Sequence, residues 1–372
     1  MEMGRRRLAL PAALLAGVCL AAIIALRPAA VGAAAEALPE RLGDAEFWTL
    51  VGELSEADGR FPFDNFLSNE TTIQTVIPAL KARARPGGAY LGVGPEQNFT
   101  YIAALEPKIA FIIDIRRQNM LEHLMYKALF ELSDDRAAFV SRLFSRKRPA
   151  GLSGRSTAVE LFGAFEKAQA DQGLFDANLR AILDTLTRRH QLPLNTSDLT
   201  AITYVYTSFF REGPGLNYAV GGGPSVNMPT YTDLMIQTDA DGQAHSYLAN
   251  DRNYAVVRAL QGRNLIIPVV GDFAGPKALR EVGNYLASHD TTVTAFYLSN
   301  VERYLFERRR AWRGFYTNVA VLPYTDQSLF IRAVLNRPAF TLISLLAPIG
   351  DQIKAFSDGR IRKYEDVFSL AN

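Results

Sequence analysis

Several polar residues of this 372-residue chain follow short apolar runs, where the ends of buried strands are expected. Gly92 and Gly94 lack side chains and so let a ligand approach the backbone closely. Asp114 carries a carboxylate that can accept hydrogen bonds from a ribose diol. Asp272 follows a third apolar run and also carries a carboxylate. Because the carboxyl ends of parallel strands meet at one edge of a sheet, these residues together predict a nucleoside-binding rim.

A fourth polar segment, residues 299–302, follows another apolar run. Asn300 carries an amide that can orient a substrate, and Glu302 carries a carboxylate that can exchange a proton with it. We therefore predict that Asn300 and Glu302 are the catalytic residues and face the substrate from the same rim.

Phenylalanines alternate with polar residues over residues 61–70, ahead of the first apolar run. The polar side chains could line a substrate pocket in front of the sheet, and the candidate substrate-binding residues are Asp64, Asn65, Asn69 and Glu70. The other interpretation is that the phenylalanines pack in the core while Asn69 caps the next helix. Both interpretations stay open, because one segment can serve both purposes.

The elements that would position these residues alternate between strands and helices. Short apolar runs predict buried parallel strands at residues 89–93, 109–115, 265–270 and 292–298. Helical spacing predicts connecting helices, among them residues 97–105. Two further strands are predicted at residues 316–322 and 328–334. This alternation favours an α/β fold with a doubly wound, mostly parallel, Rossmann-like sheet.

One domain is expected over residues 38–372, with a helical insertion at about residues 134–211. Helical patterns follow one another there without an intervening strand pattern. A glycine-rich segment, residues 213–229, is expected to return the chain to the sheet. Residues 239–242, Asp-Ala-Asp-Gly, are typical of a hairpin turn.

The first 37 residues have the order of an export signal. Three arginines at positions 5–7 precede an uncharged apolar run at residues 8–26, and small residues follow it. The apolar run is nearly long enough to span a bilayer, so residues 1–37 are predicted to be either a signal peptide or a membrane anchor through residues 8–26. The expected location is periplasmic or extracellular, or attached to the inner membrane.

Composition excludes several classes of protein. The chain has 40 basic and 38 acidic side chains, and this balance gives no reason to expect specific nucleic-acid binding. Its four histidines are far apart, and its single cysteine lies in the apolar leader, so no metal site is predicted. The Gly-x-Ser-x-Gly motif of serine hydrolases and the Gly-x-x-x-x-Gly-Lys-Ser phosphate loop are both absent from the sequence.

Residues 88–114 and 265–305 resemble the class I S-adenosylmethionine-dependent methyltransferases. Three features stand in the order of that family's methionine-, ribose- and adenine-side motifs, namely the glycine turn of Gly92 and Gly94, then Asp114, then Asp272. The resemblance implies S-adenosylmethionine as the cofactor and these four residues as its binding residues. Tyr90 stands where the family usually has an acidic residue, and the Asn-Pro-Pro-Tyr type of motif of amine-methylating enzymes is absent.

The chain from residue 38 onward also resembles an uncharacterised bacterial family with a methyltransferase-like fold. The resemblance lies in residues 64–70, 269–277 and 296–302. We therefore expect a methyltransferase-like protein that binds a small-molecule ligand. The alternative is a non-catalytic exported binding or envelope protein that uses the same crevice for another ligand or partner. Export favours the alternative, since S-adenosylmethionine is made in the cytosol. The sequence predicts no oligomeric state.

Overall fold

A computed structural model of the chain describes residues 36–220, 223–224, 228–336 and 341–368. The strands in these residues are β1 (Ala89–Gly92), β2 (Ile109–Asp114), β3 (Ala219–Val220), β4 (Gly223–Pro224), β5 (Ile266–Val270), β6 (Val293–Ser299), β7 (Tyr324–Asn336) and β8 (Thr341–Pro348). All but β3 and β4 belong to one six-stranded sheet, and β3 and β4 form a separate antiparallel pair.

The same residues contain 14 α-helices. They are α1 (Asp44–Leu54), α2 (Ile77–Arg83), α3 (Gln97–Leu105), α4 (Arg117–Glu131), α5 (Arg136–Phe144), α6 (Ala158–Glu166), α7 (Gln172–Asp184), α8 (Thr196–Glu212), α9 (Tyr231–Ile236), α10 (Asp251–Gly262), α11 (Ala278–Ser288), α12 (Val301–Glu307), α13 (Ala311–Val319) and α14 (Ile349–Ser357). A π-helical turn, Thr185–Arg189, continues α7.

The sheet has the strand order β5–β2–β1–β6–β7–β8. Numbered along the chain, this is the order 3-2-1-4-5-6 of the Rossmann fold. The first five strands run parallel, and only β8 runs antiparallel to its neighbour. Every residue of β1, β2 and β5 is buried, as expected of parallel strands that are covered on both faces. The prediction of an α/β fold with a mostly parallel sheet is confirmed.

Helices cover the sheet from both sides. On one face α4 packs against β2 and β5, and α10 packs against α3 and α4. On the other face α1 packs against β5 and α11, while α14 packs against β7. The chain changes face after β5, because the next strand, β6, lies on the far side of β1. This reversal leaves a crevice between the carboxyl ends of β1 and β6, where ligands of such sheets bind.

The stretch predicted as a helical insertion contains α5, α6, α7 and α8. Side chains cap the start of each helix: Asp135, Thr157, Asp171 and Asn195 each accept a hydrogen bond from a backbone N–H of the first turn. Helix α8 packs along α4, which joins the insertion to the helical layer of the sheet.

One predicted strand was wrong, one strand of the sheet was missed, and a predicted hairpin turn is present without flanking strands. Residues 311–319 form α13 and not the strand predicted at 316–322, because Trp312, Phe315, Tyr316 and Val319 recur at helical spacing and bury one face of this helix. The antiparallel strand β8 was not predicted. The turn at residues 239–242 is present, since Gly242 donates to the carbonyl of Asp239, but it lies between α9 and α10 with no strands beside it.

The predicted leader, with its apolar run at residues 8–26, lies outside the described residues. Within the described part of the chain, no helix has the length and apolar character needed to cross a membrane.

A buried ion pair joins the last part of the sheet to α12. The guanidinium of Arg332, on β7, donates to both carboxylate oxygens of Glu302, on α12, at 2.5 and 3.2 Å. Tyr316 donates its hydroxyl to the same carboxylate at 2.6 Å. The side chains of Arg332 and Glu302 are only 1% and 3% exposed. Because Arg332 also lies beside Ser299 in the β6–β7 register, the pair fixes the point where β6 passes into α12.

We expect Arg332→Met to destabilise the fold by about 3–5 kcal/mol, because it leaves the Glu302 carboxylate buried without a cation. Urea denaturation at pH 7 measures this loss. Arg303→Met is the matched control: Arg303 pairs with Glu307 on the exposed side of α12, and such a pair contributes at most about 1 kcal/mol. Equal losses in the two variants would show that the buried pair has no special part in stability.

Candidate functional site

A cavity of about 330 Å³ opens at the carboxyl edge of the sheet, at the crevice between β1 and β6. Residues at or just after the ends of β1, β2, β5 and β6 line it, among them Gly94, Asp114, Asp272, Ser299 and Asn300. The segment of residues 60–69 and Tyr218 contribute further to its wall. The four predicted strand ends therefore do meet at one site.

Asp114, at the end of β2, is 6% exposed and is paired with Arg116. Its Oδ1 accepts from the backbone N–H of Arg116 at 2.9 Å and from Nε of the same residue at 3.2 Å. The other carboxylate oxygen, Oδ2, has only a long contact of 3.5 Å with this guanidinium. Asp114 therefore keeps acceptor capacity on Oδ2.

Arg116 also fastens the segment of residues 60–69 over the cavity. Its Nη1 donates to the backbone carbonyls of Phe63 and Asp64. Its guanidinium lies 5.8 Å from the ring centre of Phe61, within the range of a cation–π contact. One arginine thus connects the end of β2 to the segment that closes the front of the site.

Asp272, at the end of β5, is held by one hydrogen bond and one ion pair. Its Oδ1 accepts from the backbone N–H of Ala274 at 2.9 Å, and its Oδ2 lies 2.6 Å from Nη2 of Arg308. Arg308 itself lines the cavity. The wall near β5 therefore carries a balanced pair of charges.

The turn after β1 depends on its small residues in two different ways. Gly94 has a φ of +77°, which favours glycine, and it lines the cavity. Gly92 does not line the cavity; a Cβ there would overlap the side chain of Asn98. Asn98 donates to the carbonyls of Val93, Gly94 and Pro95, so it holds the whole turn in place.

Ser299 and Asn300 form the wall at the end of β6. Ser299 has a φ of +50°, and the pairing of β6 with β7 shifts in register beside it. Such a backbone is strained for a residue other than glycine, and strain of this kind is found at functional sites. Asn300 lines the cavity, and its side chain has no hydrogen-bond partner among the described residues.

Three carboxyls without a paired cation lie buried behind the cavity: Glu70, Glu96 and Glu122, each at most 1% exposed. Burial raises the pKa of Glu70 to about 7 and that of Glu96 to about 8. Burial and the neighbouring Glu96 raise the pKa of Glu122 well above its ordinary value. Burial lowers the pKa of His123 to about 4, so its ring is neutral where Nε2 meets the carbonyl of Gly94 at 2.9 Å.

Not every predicted site residue reaches the cavity. Asn65 and Asn69 line the cavity. Asp64 does not line it; its Oδ2 accepts a hydrogen bond from the hydroxyl of Tyr204 at 2.8 Å. Glu302 does not line the cavity either, because its carboxylate forms the buried ion pair with Arg332. Glu70 lies one layer behind the wall, in contact with Ser299.

Several residues of the site were not predicted from the sequence. The aromatic side chains Phe61, Tyr218, Phe273 and Tyr304, the amide of Gln97 and the guanidinium of Arg308 all line the cavity. Phe273 directly follows Asp272, and Gln97 lies three residues after Gly94, so their proximity to predicted residues was a usable signal. Tyr218 is not near any predicted site residue in the sequence, since it belongs to the glycine-rich segment of residues 213–229. In the described part of the chain, no three His, Cys, Asp or Glu residues are grouped to hold a metal ion.

The buried carboxyls predict that stability falls as the pH rises from about 5 to 8. The unfolded chain releases these protons near the ordinary value of 4.5, while the folded chain keeps them until about pH 7 on Glu70 and about pH 8 on Glu96. The folded state then binds more protons than the unfolded state, and the free energy of unfolding decreases with rising pH. Glu96→Gln should reduce this slope by up to about 1.4 kcal/mol per pH unit.

Urea denaturation at several pH values measures the slope. Glu166→Gln, at the exposed end of α6, is the control and should keep the wild-type slope. An unchanged slope in the Glu96→Gln variant would mean that Glu96 is ionised in the folded chain, against this prediction.

The region that carries this site matches a known protein family. Residues 65–353, which include the six-stranded sheet and most of the cavity wall, match the family described as Domain of unknown function (DUF7790). None of the curated proteins compared with the chain matches it. Since the match spans well over half of the 372 residues, the chain belongs to the DUF7790 family.

Proposed function

We propose that the cavity binds a nucleoside ligand of the S-adenosylmethionine class and that the chain is a methyltransferase-like enzyme. The observation that carries the proposal is the position of Asp114, whose carboxylate ends β2 at the edge of a 3-2-1-4-5-6 sheet and lines the cavity. In sheets of this kind, an acidic residue near the crevice accepts hydrogen bonds from a ribose hydroxyl. The Oδ2 of Asp114 has acceptor capacity for this bond.

The rest of the cavity wall suits such a ligand. Its volume of about 330 Å³ lies in the range of small-molecule sites. Phe273 and Tyr304 offer aromatic surface to a purine, and Phe61 meets Tyr304 edge to face at 5.4 Å. Gly94 lets the ligand approach the backbone, and the Asp272–Arg308 pair offers both an acceptor and a donor.

When bound, S-adenosylmethionine supplies an electrophilic methyl group. The chain's own residues then have to hold the acceptor in line with that group and keep water away. Asn300 is our candidate for the orienting residue, because its amide lines the cavity without a partner among the described residues. Glu302 is a positioning residue in this proposal: it holds α12 through Arg332 and does not touch the ligand.

Calorimetric titration of the purified full-length chain with S-adenosylmethionine and S-adenosylhomocysteine tests the proposal. We expect saturable binding of both. Asp114→Asn should weaken it about 10- to 150-fold, because a hydrogen bond to a charged group contributes about 1.5–3 kcal/mol. Asp241→Asn, in the exposed turn before α10, is the control and should bind as the wild type does. No binding to a folded wild-type chain would refute the proposal.

A second candidate is a non-catalytic exported binding or envelope protein that uses the same cavity. The observation that favours it is the order of the first 37 residues, where arginines precede an apolar run and small residues follow, because an exported chain has no ordinary supply of a cofactor made in the cytosol. Cell fractionation separates the candidates: a chain cleaved after its leader and found outside the cytosol favours this one.

A further inference from the structure

A hydrogen-bonded chain of side chains connects Glu70 with the cavity at two points. The hydroxyls of Tyr297 and Ser299 both donate to Oε1 of Glu70, the first at 2.6 Å and the second at 2.5 Å. Gln97 donates to the hydroxyl of Tyr297 at 3.3 Å. Ser299 and Gln97 line the cavity, while Glu70 and Tyr297 lie behind its wall. We call these four residues the Glu70 relay.

The surroundings of Glu70 contain no cation that would keep it ionised. The titratable groups that face it are the hydroxyls of Tyr90, Tyr101 and Tyr297 and the carboxyl of Glu96. Among the described residues no lysine, arginine or histidine pairs with it. Its Oε2 is buried without a hydrogen-bond partner. A carboxyl in this setting gains and loses a proton near neutral pH, which suits proton transfer.

The geometry of Ser299 directs this proton transfer toward the cavity. Its hydroxyl has one proton, and this proton is donated to Glu70, so the lone pairs of Oγ remain available to a ligand. The strained backbone of Ser299, beside Arg332 in the β6–β7 register, keeps the hydroxyl between the buried carboxyl and the cavity. Ser299 can therefore accept one proton while it passes on another.

We propose that Glu70 is the general base of this site, acting through the hydroxyl of Ser299 on an acceptor hydroxyl of the phenol class. The inference rests on the proposed function, which it deepens. The acceptor O–H gives its proton to Oγ of Ser299 as Ser299 gives its own proton to Oε1 of Glu70. The acceptor oxygen forms its new bond to the methyl carbon with the electron pair of the broken O–H bond, and the pair of the carbon–sulfur bond stays on sulfur. Glu70 later returns the proton through Ser299 to solvent.

The chemistry of the base selects the acceptor. A hydroxyl has to lose its proton as it is methylated, so it needs a base, whereas a neutral amine already has a free electron pair. Phenols ionise near pH 10, below aliphatic hydroxyls, and the rings of Phe61, Tyr218 and Tyr304 in the cavity wall suit an aromatic acceptor. The position of Ser299 also fits this role. It lies on β6, two strands and about 10 Å from β2, which carries the proposed ribose site at Asp114.

The test measures S-adenosylhomocysteine formation by the full-length chain from pH 5 to 9. Acceptors are matched pairs of phenols and anilines with the same para substituents, methyl and carboxyl. We expect turnover of phenols with a kcat that rises about tenfold per pH unit below about pH 7 and is constant above it, whereas any turnover of anilines lacks this rise. Glu70→Gln and Ser299→Ala should lower kcat about 100- to 10,000-fold and abolish this pH dependence, while donor affinity is kept. Glu166→Gln is the control.

Infrared difference spectra without any ligand provide a second readout. A carboxyl band should titrate near pH 7 in the wild type, vanish in Glu70→Gln, and titrate at higher pH in Ser299→Ala, since a donor to the ionised form has been lost. A Glu70 band that is constant from pH 5 to 9 would overturn the proposal, whatever the variants do to turnover.

The remaining outcomes separate the relay from the proposed function. A wild-type chain that binds the donor but methylates no phenol, or methylates phenols and anilines with the same pH dependence, refutes the relay and leaves donor binding intact. A folded wild-type chain without donor affinity refutes the proposed function itself.

Discussion

The buried ion pair of Arg332 and Glu302 is the interaction on which the carboxyl edge of the sheet depends. Two charges this deeply buried are stable only together, so β7 and α12 have one relative position. Ser299 and Asn300 lie between these two anchors, and the strain at Ser299 is maintained because both sides are fixed. A residue predicted to do chemistry thus turns out to hold the backbone that presents its neighbours to the cavity.

Much of the fold could be predicted because its signals are local. The parallel strands are continuous apolar runs, and α3 occupies residues 97–105 as its spacing predicted. The strand predicted at residues 316–322 failed for a physical reason: a short run of buried residues has the same composition in a helix as in a strand, and only the spacing from Trp312 onward distinguishes them. The pairing of β8 depends on contacts distant in sequence, which no local pattern contains.

The site could be predicted only in part, since topology brings strand ends together but does not say where each side chain is directed. Asp114 and Asp272 line the cavity wall because the carboxyl ends of β2 and β5 border the cavity. Gly92 was assigned to ligand approach, yet its small size makes room for Asn98. The sequence did not indicate that Arg116 and Arg308 pair with the rim carboxylates. Glu70 was expected in the pocket, and its burial behind Ser299 follows from packing alone.

The two groups of carboxyls give the site its electrostatic character. Asp114 and Asp272 are held by arginines, so the wall on the side of β2 and β5 carries little net charge, whereas Glu70 has only neutral donors for partners. An ionised Glu70 bears the desolvation cost of a buried carboxylate, and this cost is relieved when the carboxylate takes up a proton. The absence of a cation beside it in the described residues is therefore the property that a reversible proton acceptor requires.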